Sequence, residues 1–247
     1  MTLDAFFREH PRFALAFSGG TDSAYLLWAA VQAGCQVQPY FVKTPFQPAF
    51  ELADARRLAG QVGLPLTVLP VAVLDLPQVV QNPPDRCYHC KTALFTALFR
   101  QAEQDGYSLL CDGTNASDRA DDRPGMRALA QLGVRSPLRE CGITKEQVRA
   151  LSRQAGLFTA DKPSYACLAT RIPAGTAITR EALEAVETGE SRLAAMGFSD
   201  LRLRLDGPNA RLQLPQSQMA DAFARRDEIL DNLKDLFPAV SLDLGGR

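Results

Sequence analysis

Phe13-Ala14-Leu15-Ala16-Phe17, followed at once by Ser18-Gly19-Gly20-Thr21-Asp22-Ser23, decides how this chain is read. Five apolar residues stopped by a glycine pair predict a short buried strand. Beyond the glycines, Ala24, Leu26, Leu27, Ala30 and Val31 recur at helical spacing and Gly34 ends the run, so Thr21 to Ala33 reads as a helix. A glycine turn between a strand and a helix suits an anion. Gly19 and Gly20 let the backbone come close to a ligand and take left-handed angles. Successive N–H groups form an anion-binding concavity, and the helix adds its positive end. Ser18, Thr21 and Ser23 bring hydroxyls to the same place, and Asp22 can hold a magnesium ion or orient the loop. The loop is neither a G-x-x-x-x-G-K-[ST] phosphate loop nor a G-x-G-x-x-G dinucleotide turn.

Working outward, Val37 to Val42 and Pro65 to Val71 read as strands, with a helix from Phe50 to Val62 between them. Asp75 to Arg86 carries three prolines and reads as an irregular loop. Tyr88 to Glu103 reads as a helix, and Ser108 to Asp112 as a central strand that ends in the turn Gly113-Thr114-Asn115. This alternation predicts an α/β fold, a doubly wound parallel sheet covered by helices. Asp112, at a strand end where such sheets bind ligands, and Asn115 are candidate ligand or magnesium contacts, against the plainer reading of an ordinary turn. Asp118 to Pro124 reads as a charged loop, its Asp118, Asp121 and Asp122 solvated and not a metal cage. Ser136-Pro137-Leu138 reads as a short extended piece. Thr144 to Ala155 reads as a helix with a Thr144–Gln147 capping box.

The pattern changes after Pro173. Ile178 to Met196 reads as a helix opened by Thr179. Leu201 to Leu205 and Arg211 to Leu214 alternate strictly around Asp206-Gly207-Pro208-Asn209, the mark of a hairpin with one face buried and one wet. Gln218 to Leu236 reads as a single helix and Val240 to Leu244 as a last strand. The expected organisation is therefore an α/β domain with the anion-binding loop over residues 1–174 and a smaller α+β domain, antiparallel in character, over residues 175–247.

A formal net charge of −1 gives no global electrostatic case for nucleic acid or for an anionic membrane. The N-terminus lacks the basic start and apolar stretch of a secretory signal, and no segment approaches the ~20 apolar residues of a membrane helix. A cytoplasmic location is expected. Two histidines, His10 and His89, exclude a three-histidine metal site by count. Six cysteines are too few for a disulfide scaffold in a chain of 247 residues. Cys87 and Cys90 share one side of a helical turn, where a helix start favours thiolates. With the distant Cys167 they could hold a [4Fe–4S] cluster with one iron open to another ligand. Zinc completed by His89, a redox pair, or thiols without metal also fit the spacing. Cys35, Cys111 and Cys141 read as structural.

Several stretches also carry a resemblance. Ser18 to Ser23 resembles the pyrophosphate-binding loop of the PP-loop ATP pyrophosphatase superfamily, of adenine nucleotide alpha hydrolase type. Cys87-Tyr88-His89-Cys90-Lys91, Asp112 to Asn115, Ser136 to Leu138, Lys162-Pro163 through Cys167 to Pro173, and Arg202-Leu203-Arg204 resemble the LarE family of ATP-dependent sulfur transferases. That resemblance spans nearly the whole chain. It implies ATP and Mg2+, and adenylation of a carboxylate of pyridinium-3,5-biscarboxylic acid mononucleotide. Sulfur then replaces AMP, leaving a thiocarboxylate for a nickel-pincer nucleotide. In some members a cysteine matching Cys167 gives up its own sulfur. Others carry three cysteines matching Cys87, Cys90 and Cys167, with a [4Fe–4S] cluster, and this chain has all three. Arg202 and Arg204 alternate on one strand face, so both can reach one anion, and the arginine fork suits phosphate. By resemblance they grip the substrate's phosphate, with Arg171 a further candidate near Cys167. Glu190 and Asp221 match acidic positions of the family, whereas Gln213 stands where an acid is expected. The implied partners are a small nucleotide substrate and further copies of the chain, as a homo-oligomer, with no nucleic acid and no membrane. Competing readings are a tRNA-thiolating enzyme of the same superfamily, an NAD-synthase-like amidating ligase, and a non-enzymatic nucleotide sensor with structural zinc.

Overall fold

The computed structural model describes residues 1–118 and 124–247. The charged stretch expected at 118–124, with Asp121 and Asp122, lies outside the described residues except for its two ends. In chain order the helices are α1 (Leu3–Glu9), α2 (Thr21–Gln32), α3 (Ala49–Gln61), α4 (Pro77–Val80), α5 (Arg86–Gln104), α6 (Pro124–Gln131), α7 (Pro137–Glu140), α8 (Lys145–Gln154), α9 (Arg180–Ala195), α10 (Gln216–Ala224) and α11 (Arg226–Leu233). The strands are β1 (Arg12–Ala16), β2 (Gln36–Lys43), β3 (Thr67–Pro70), β4 (Leu110–Asp112), β5 (Arg202–Asp206), β6 (Asn209–Gln213) and β7 (Val240–Leu242). The chain divides into two compact units, residues 1–73 with 85–162, and residues 74–84 with 163–247.

The first unit is built on a four-stranded sheet in the order β3-β2-β1-β4, with every pair parallel. Strands covered on both faces are apolar without alternation, and β1 shows why. Phe13 and Leu15 pack with residues of α1, α2 and α8, including Phe6, Leu26, Leu27 and Val148. Ala14 faces the other way, onto Tyr40, Leu98, Ala102 and Leu110, under α5. The sheet is therefore wound on both sides.

The second unit is a three-stranded sheet, β5-β6-β7, with α9, α10 and α11. The hairpin forms as expected, pairing Arg202 with Gln213 and Asp206 with Asn209. β7 joins β6 in parallel, so the sheet is mixed where an antiparallel one was expected. Leu203, Leu212, Leu214, Leu193, Leu233 and Phe237 form its core. Residues 74–84 are tied into this unit: Asn82 Nδ2 donates to the carbonyls of Ile172 and Pro173, and Ile178 N donates to Val80 O.

Some local expectations change. Ser136-Pro137-Leu138 is not extended: Pro137 opens the short helix α7, where its fixed φ and missing N–H suit the first turn. Gln218 to Leu236 is not one helix. Arg225, at φ −100° and ψ 22°, separates α10 from α11, and its guanidinium is held by Met196 O at 2.9 Å. The proline-rich stretch after β3 contains a 3-10 turn and α4. Helices α1 and α6 were not foreseen. The capping box forms as expected, with Thr144 Oγ1 accepting from Gln147 N.

Candidate active site

The order β3-β2-β1-β4 places the topological switch between β1 and β4, the point at which open α/β sheets hold ligands beyond the carboxyl ends of their strands. Ser18 to Ser23 follows β1 there, and Gly113 to Asn115 follows β4. Both glycines that matter are set by close approach. Gly19 sits at φ +70°, and a Cβ on it would lie 3.0 Å from Ala55 N in α3. A Cβ on Gly113 would lie 2.6 Å from Ser23 N. The β4 turn thus rests directly on the first turn of α2.

Within the loop, Ser18 Oγ and Ser23 Oγ share a hydrogen bond at 3.1 Å, and Gly20 N donates to Ser18 Oγ at 3.3 Å. Thr21 is buried and donates to Thr159 O at 2.8 Å, so its hydroxyl ties the loop to residues 157–162. Asp22 Oδ2 accepts from Lys145 Nζ at 2.7 Å. Asp22 Oδ1 is buried without a hydrogen-bond partner among the described residues. Lys145 was missed in the sequence. Its signal was a cation in the first turn of a capped helix, where the dipole disfavours one. Asp112 is buried and accepts from Thr114 N, Thr114 Oγ1 and Ser136 Oγ, at 3.1, 2.5 and 2.7 Å. Asn115 Oδ1 accepts from Ser117 N at 2.8 Å. Both side chains build the turn that holds the loop.

Cys87 and Cys90 lie in the first turns of α5, Cys87 exposed and Cys90 buried. Arg86 Nη2 lies 3.5 Å from Cys87 Sγ, and His89 Nε2 lies 3.3 Å from Asp85 Oδ2. No disulfide joins the six cysteines. Burial pushes the thiol pKa of Cys111 strongly upward, and those of Cys35 and Cys141 less so. Among the described residues no three His, Cys, Asp or Glu side chains form a group that could hold a metal ion. Cys87 and Cys90 belong to the first unit and Cys167 to the second.

In the second unit Cys167 precedes a 3-10 turn at Leu168–Arg171. Three arginines meet the main chain around it: Arg202 Nη2 donates to Ser164 O at 2.7 Å, Arg171 Nη1 to Ala166 O at 2.9 Å, and Arg204 Nη1 to Thr170 O at 2.8 Å. Arg171 is 1% exposed. Its Nε and Nη2 donate to the two oxygens of the buried Glu190, at 2.8 and 3.1 Å. Tyr165 Oη also donates to Glu190, at 2.6 Å, and Leu203 N does so at 2.9 Å. The Tyr165 ring lies under the guanidinium groups of Arg171 and Arg202, at 4.6 and 4.8 Å. Burial, then the Glu190 charge, pushes the Tyr165 phenol far above its ordinary range. Arg204 Nε donates to Gln213 Oε1, and Gln213 Nε2 to Asp243 Oδ2. Asp221 lies on the exposed face of α10, 3.5 Å from Arg225.

The switch-point SGGTDS loop on a doubly wound parallel sheet, with a smaller α+β unit beside it in sequence, defines a PP-loop protein of the adenine nucleotide alpha hydrolase type. No family profile matches the chain. Full-length relatives narrow the class. An uncharacterised protein of Synechocystis sp. is 35% identical over 99% of this chain and 92% of its own length. The pyridinium-3,5-bisthiocarboxylic acid mononucleotide synthase of Lactiplantibacillus plantarum is 31% identical over 99% of this chain and 90% of its own length. The chain therefore belongs to the LarE family, to which that synthase belongs. A tRNA-specific 2-thiouridylase of Thermobifida fusca is 29% identical over 62% of this chain and 51% of its own length. Among the described residues no helix is long and apolar enough to cross a membrane.

Proposed function

We propose that this protein uses ATP to adenylate a carboxylate of pyridinium-3,5-biscarboxylic acid mononucleotide and exchanges the AMP for sulfur, producing a thiocarboxylate for a nickel-pincer nucleotide. The observation that carries the reading is the placement of Ser18–Ser23 at the sheet's switch point, in a chain similar along its whole length to a named bisthiocarboxylate synthase. A carboxylate is a poor electrophile: its charge repels nucleophiles and its oxygen leaves badly. Attack of a carboxylate oxygen on the α-phosphorus breaks the α–β bond, releases pyrophosphate and converts that oxygen into part of an AMP leaving group. Attack of sulfur on the activated carbon then breaks the bond to AMP.

The chain's own groups divide this work. The N–H groups at Gly19, Gly20 and Thr21, with the α2 dipole, receive the phosphates. The Ser18 and Ser23 hydroxyls line the loop, and Lys145 adds a cation beside it. The orphaned Asp22 Oδ1 fits a magnesium ion, a hard cation that takes carboxylate oxygen. Asp112 and Asn115 act at the nucleotide site by shaping the turn under it. Arg202 and Arg204 supply the positive charge for the substrate's phosphate, the charge of Arg171 being taken up by Glu190, and Cys167 belongs to the sulfur step. Soft thiolates fit an iron–sulfur group, so Cys87, Cys90 and Cys167 are the residues that would hold a [4Fe–4S] cluster. Such a cluster supplies an iron open to an extra sulfide.

The test is anaerobic reaction with ATP, magnesium, the pyridinium mononucleotide and sulfide, with masses measured for product and protein together. Pyrophosphate release, a product gain of sulfur for oxygen and retention of pyrophosphate release in Cys167→Ala are expected. Thiolation only in the presence of tRNA, or a nitrogen-containing product formed equally by Cys167→Ala, would defeat the reading. Iron and acid-labile sulfide in the anaerobically purified protein, lost in Cys87→Ala, check the cluster without reference to activity.

A further inference from the structure

We infer that Glu190 is a positioning residue for Cys167: it anchors Arg171 and Tyr165, which bracket the cysteine, and so fixes the loop that presents it. The inference rests on the reading above only in taking Cys167 as a reacting residue.

Four hydrogen bonds converge on the Glu190 carboxylate from three residues. Tyr165 comes from two residues before Cys167, Arg171 from four residues after it, and Leu203 N from β5. Arg171 then turns its remaining donors back on the loop, to Ala166 O and Thr170 Oγ1, each at 2.9 Å. Cys167 thus sits on a short arc whose two flanks are tied to one carboxylate on α9. Arg202 and Arg204 close the arc from β5 through Ser164 O and Thr170 O.

Stability alone is a weak reason for such a construction. Burying a guanidinium and a carboxylate costs much of what their attraction returns, and well-packed apolar residues often serve as well. An apolar core would fill this space but would not aim a loop. A planar fork that meets a carboxylate on one edge and carbonyls on the other sets direction as well as distance. The same geometry bears on Arg171 as a phosphate ligand. Its side chain is fully buried with its nitrogens engaged, so an incoming phosphate would have to displace Glu190 or a loop carbonyl.

The experiment compares the full-length protein with Glu190→Gln, which keeps the shape and removes the charge, and with Tyr165→Phe, which removes one hydroxyl and keeps the ring. Iodoacetamide labelling of Cys167 is followed peptide by peptide in mass spectra, with the fully buried Cys111 of the other unit as internal reference. Amide hydrogen exchange is followed over 163–171. In Glu190→Gln, Cys167 labelling should change by roughly tenfold or more, the factor commanded by a lost charge-assisted hydrogen bond. Exchange over 163–171 should rise while α11, in the core of the same unit, stays protected. Tyr165→Phe should move the same readouts less far. In the sulfur-transfer assay kcat should fall while KM for the mononucleotide holds. Wild-type labelling and exchange in both variants would overturn the inference. So would exchange that rises equally over α11 of the same unit, because the carboxylate would then be holding the fold and not the loop. Labelling and exchange need neither ATP nor substrate, so they decide the point even if the protein carries out a different reaction.

Discussion

Replacing Gly113 by alanine tests the central geometric claim, that the β4 turn supports the phosphate loop by direct backbone contact. The added Cβ would stand 2.6 Å from Ser23 N and 2.9 Å from Ser23 Cα, against an optimal carbon separation of about 3.5–4.0 Å. The obstacle is the backbone of a helix and not the end of a flexible side chain, so the strain moves α2 or the turn. Overpacking of this kind costs about 1–3 kcal/mol, which lowers the melting temperature of a chain this size by roughly 2–12 °C. Gly60→Ala is the control: it lies inside α3, nothing stands within 4 Å of its new Cβ, and relief of glycine's helix penalty should stabilise by about 0.5–1 kcal/mol. Calorimetry and ATP–pyrophosphate exchange on the three proteins read both halves of the claim. Gly113→Ala should melt lower and lose exchange, while Gly60→Ala should melt slightly higher and keep it. A Gly113→Ala protein that melts with wild type and exchanges pyrophosphate normally would refute the argument.

Thr144→Ala removes one arm of the capping box at the start of α8 and should lower the urea-unfolding free energy by about 1 kcal/mol. Lys145→Met strips Asp22 of its partner and the loop of a cation; pyrophosphate exchange should fall by roughly tenfold or more, with the far-ultraviolet circular dichroism unchanged. Glu140 gives a pH signature. Its carboxyl is held below the usual range first by the Arg135 hydrogen bonds and then, against burial, by Ser136 N. Its folded pKa is depressed, so its stabilising contribution is complete above the ordinary carboxylate range and is lost as pH falls through the lowered value. The gap in urea midpoint between wild type and Glu140→Gln should therefore shrink between pH 6 and pH 3.

The first half of the fold was legible because its signals are local. Phe13 to Phe17 is apolar on both faces, the loop glycines follow, and helix and strand alternate at regular intervals. The hairpin was legible for the same reason. Strict alternation, however, says only that Arg202 and Arg204 share a face, not what covers it. Read as wet, that face carries Arg202 at 4% exposure, because residues 163–171, distant in sequence, bring it carbonyls and the Tyr165 ring. Glu190 was visible as a matched acid, but its role depends on partners 13 to 25 positions away. The break at Arg225 was hidden because the apolar spacing continues through it, while its side chain bonds Met196 O, distant in sequence. Lys145 escaped notice because its meaning lies in Asp22, on another helix.

Residues 74–84 leave the first unit, join the second, and return to the first at Asp85. With the last passage at Pro163, the chain crosses from one folding body to the other three times. During synthesis this short stretch emerges long before residues 163–247, with which it belongs, and must wait for them. A fragment cut at Pro163 would begin life without Asn82 and Val80, which bond Ile172, Pro173 and Ile178. Attempts to express the C-terminal portion alone should accordingly carry residues 74–84 along, as a grafted segment or a supplied peptide.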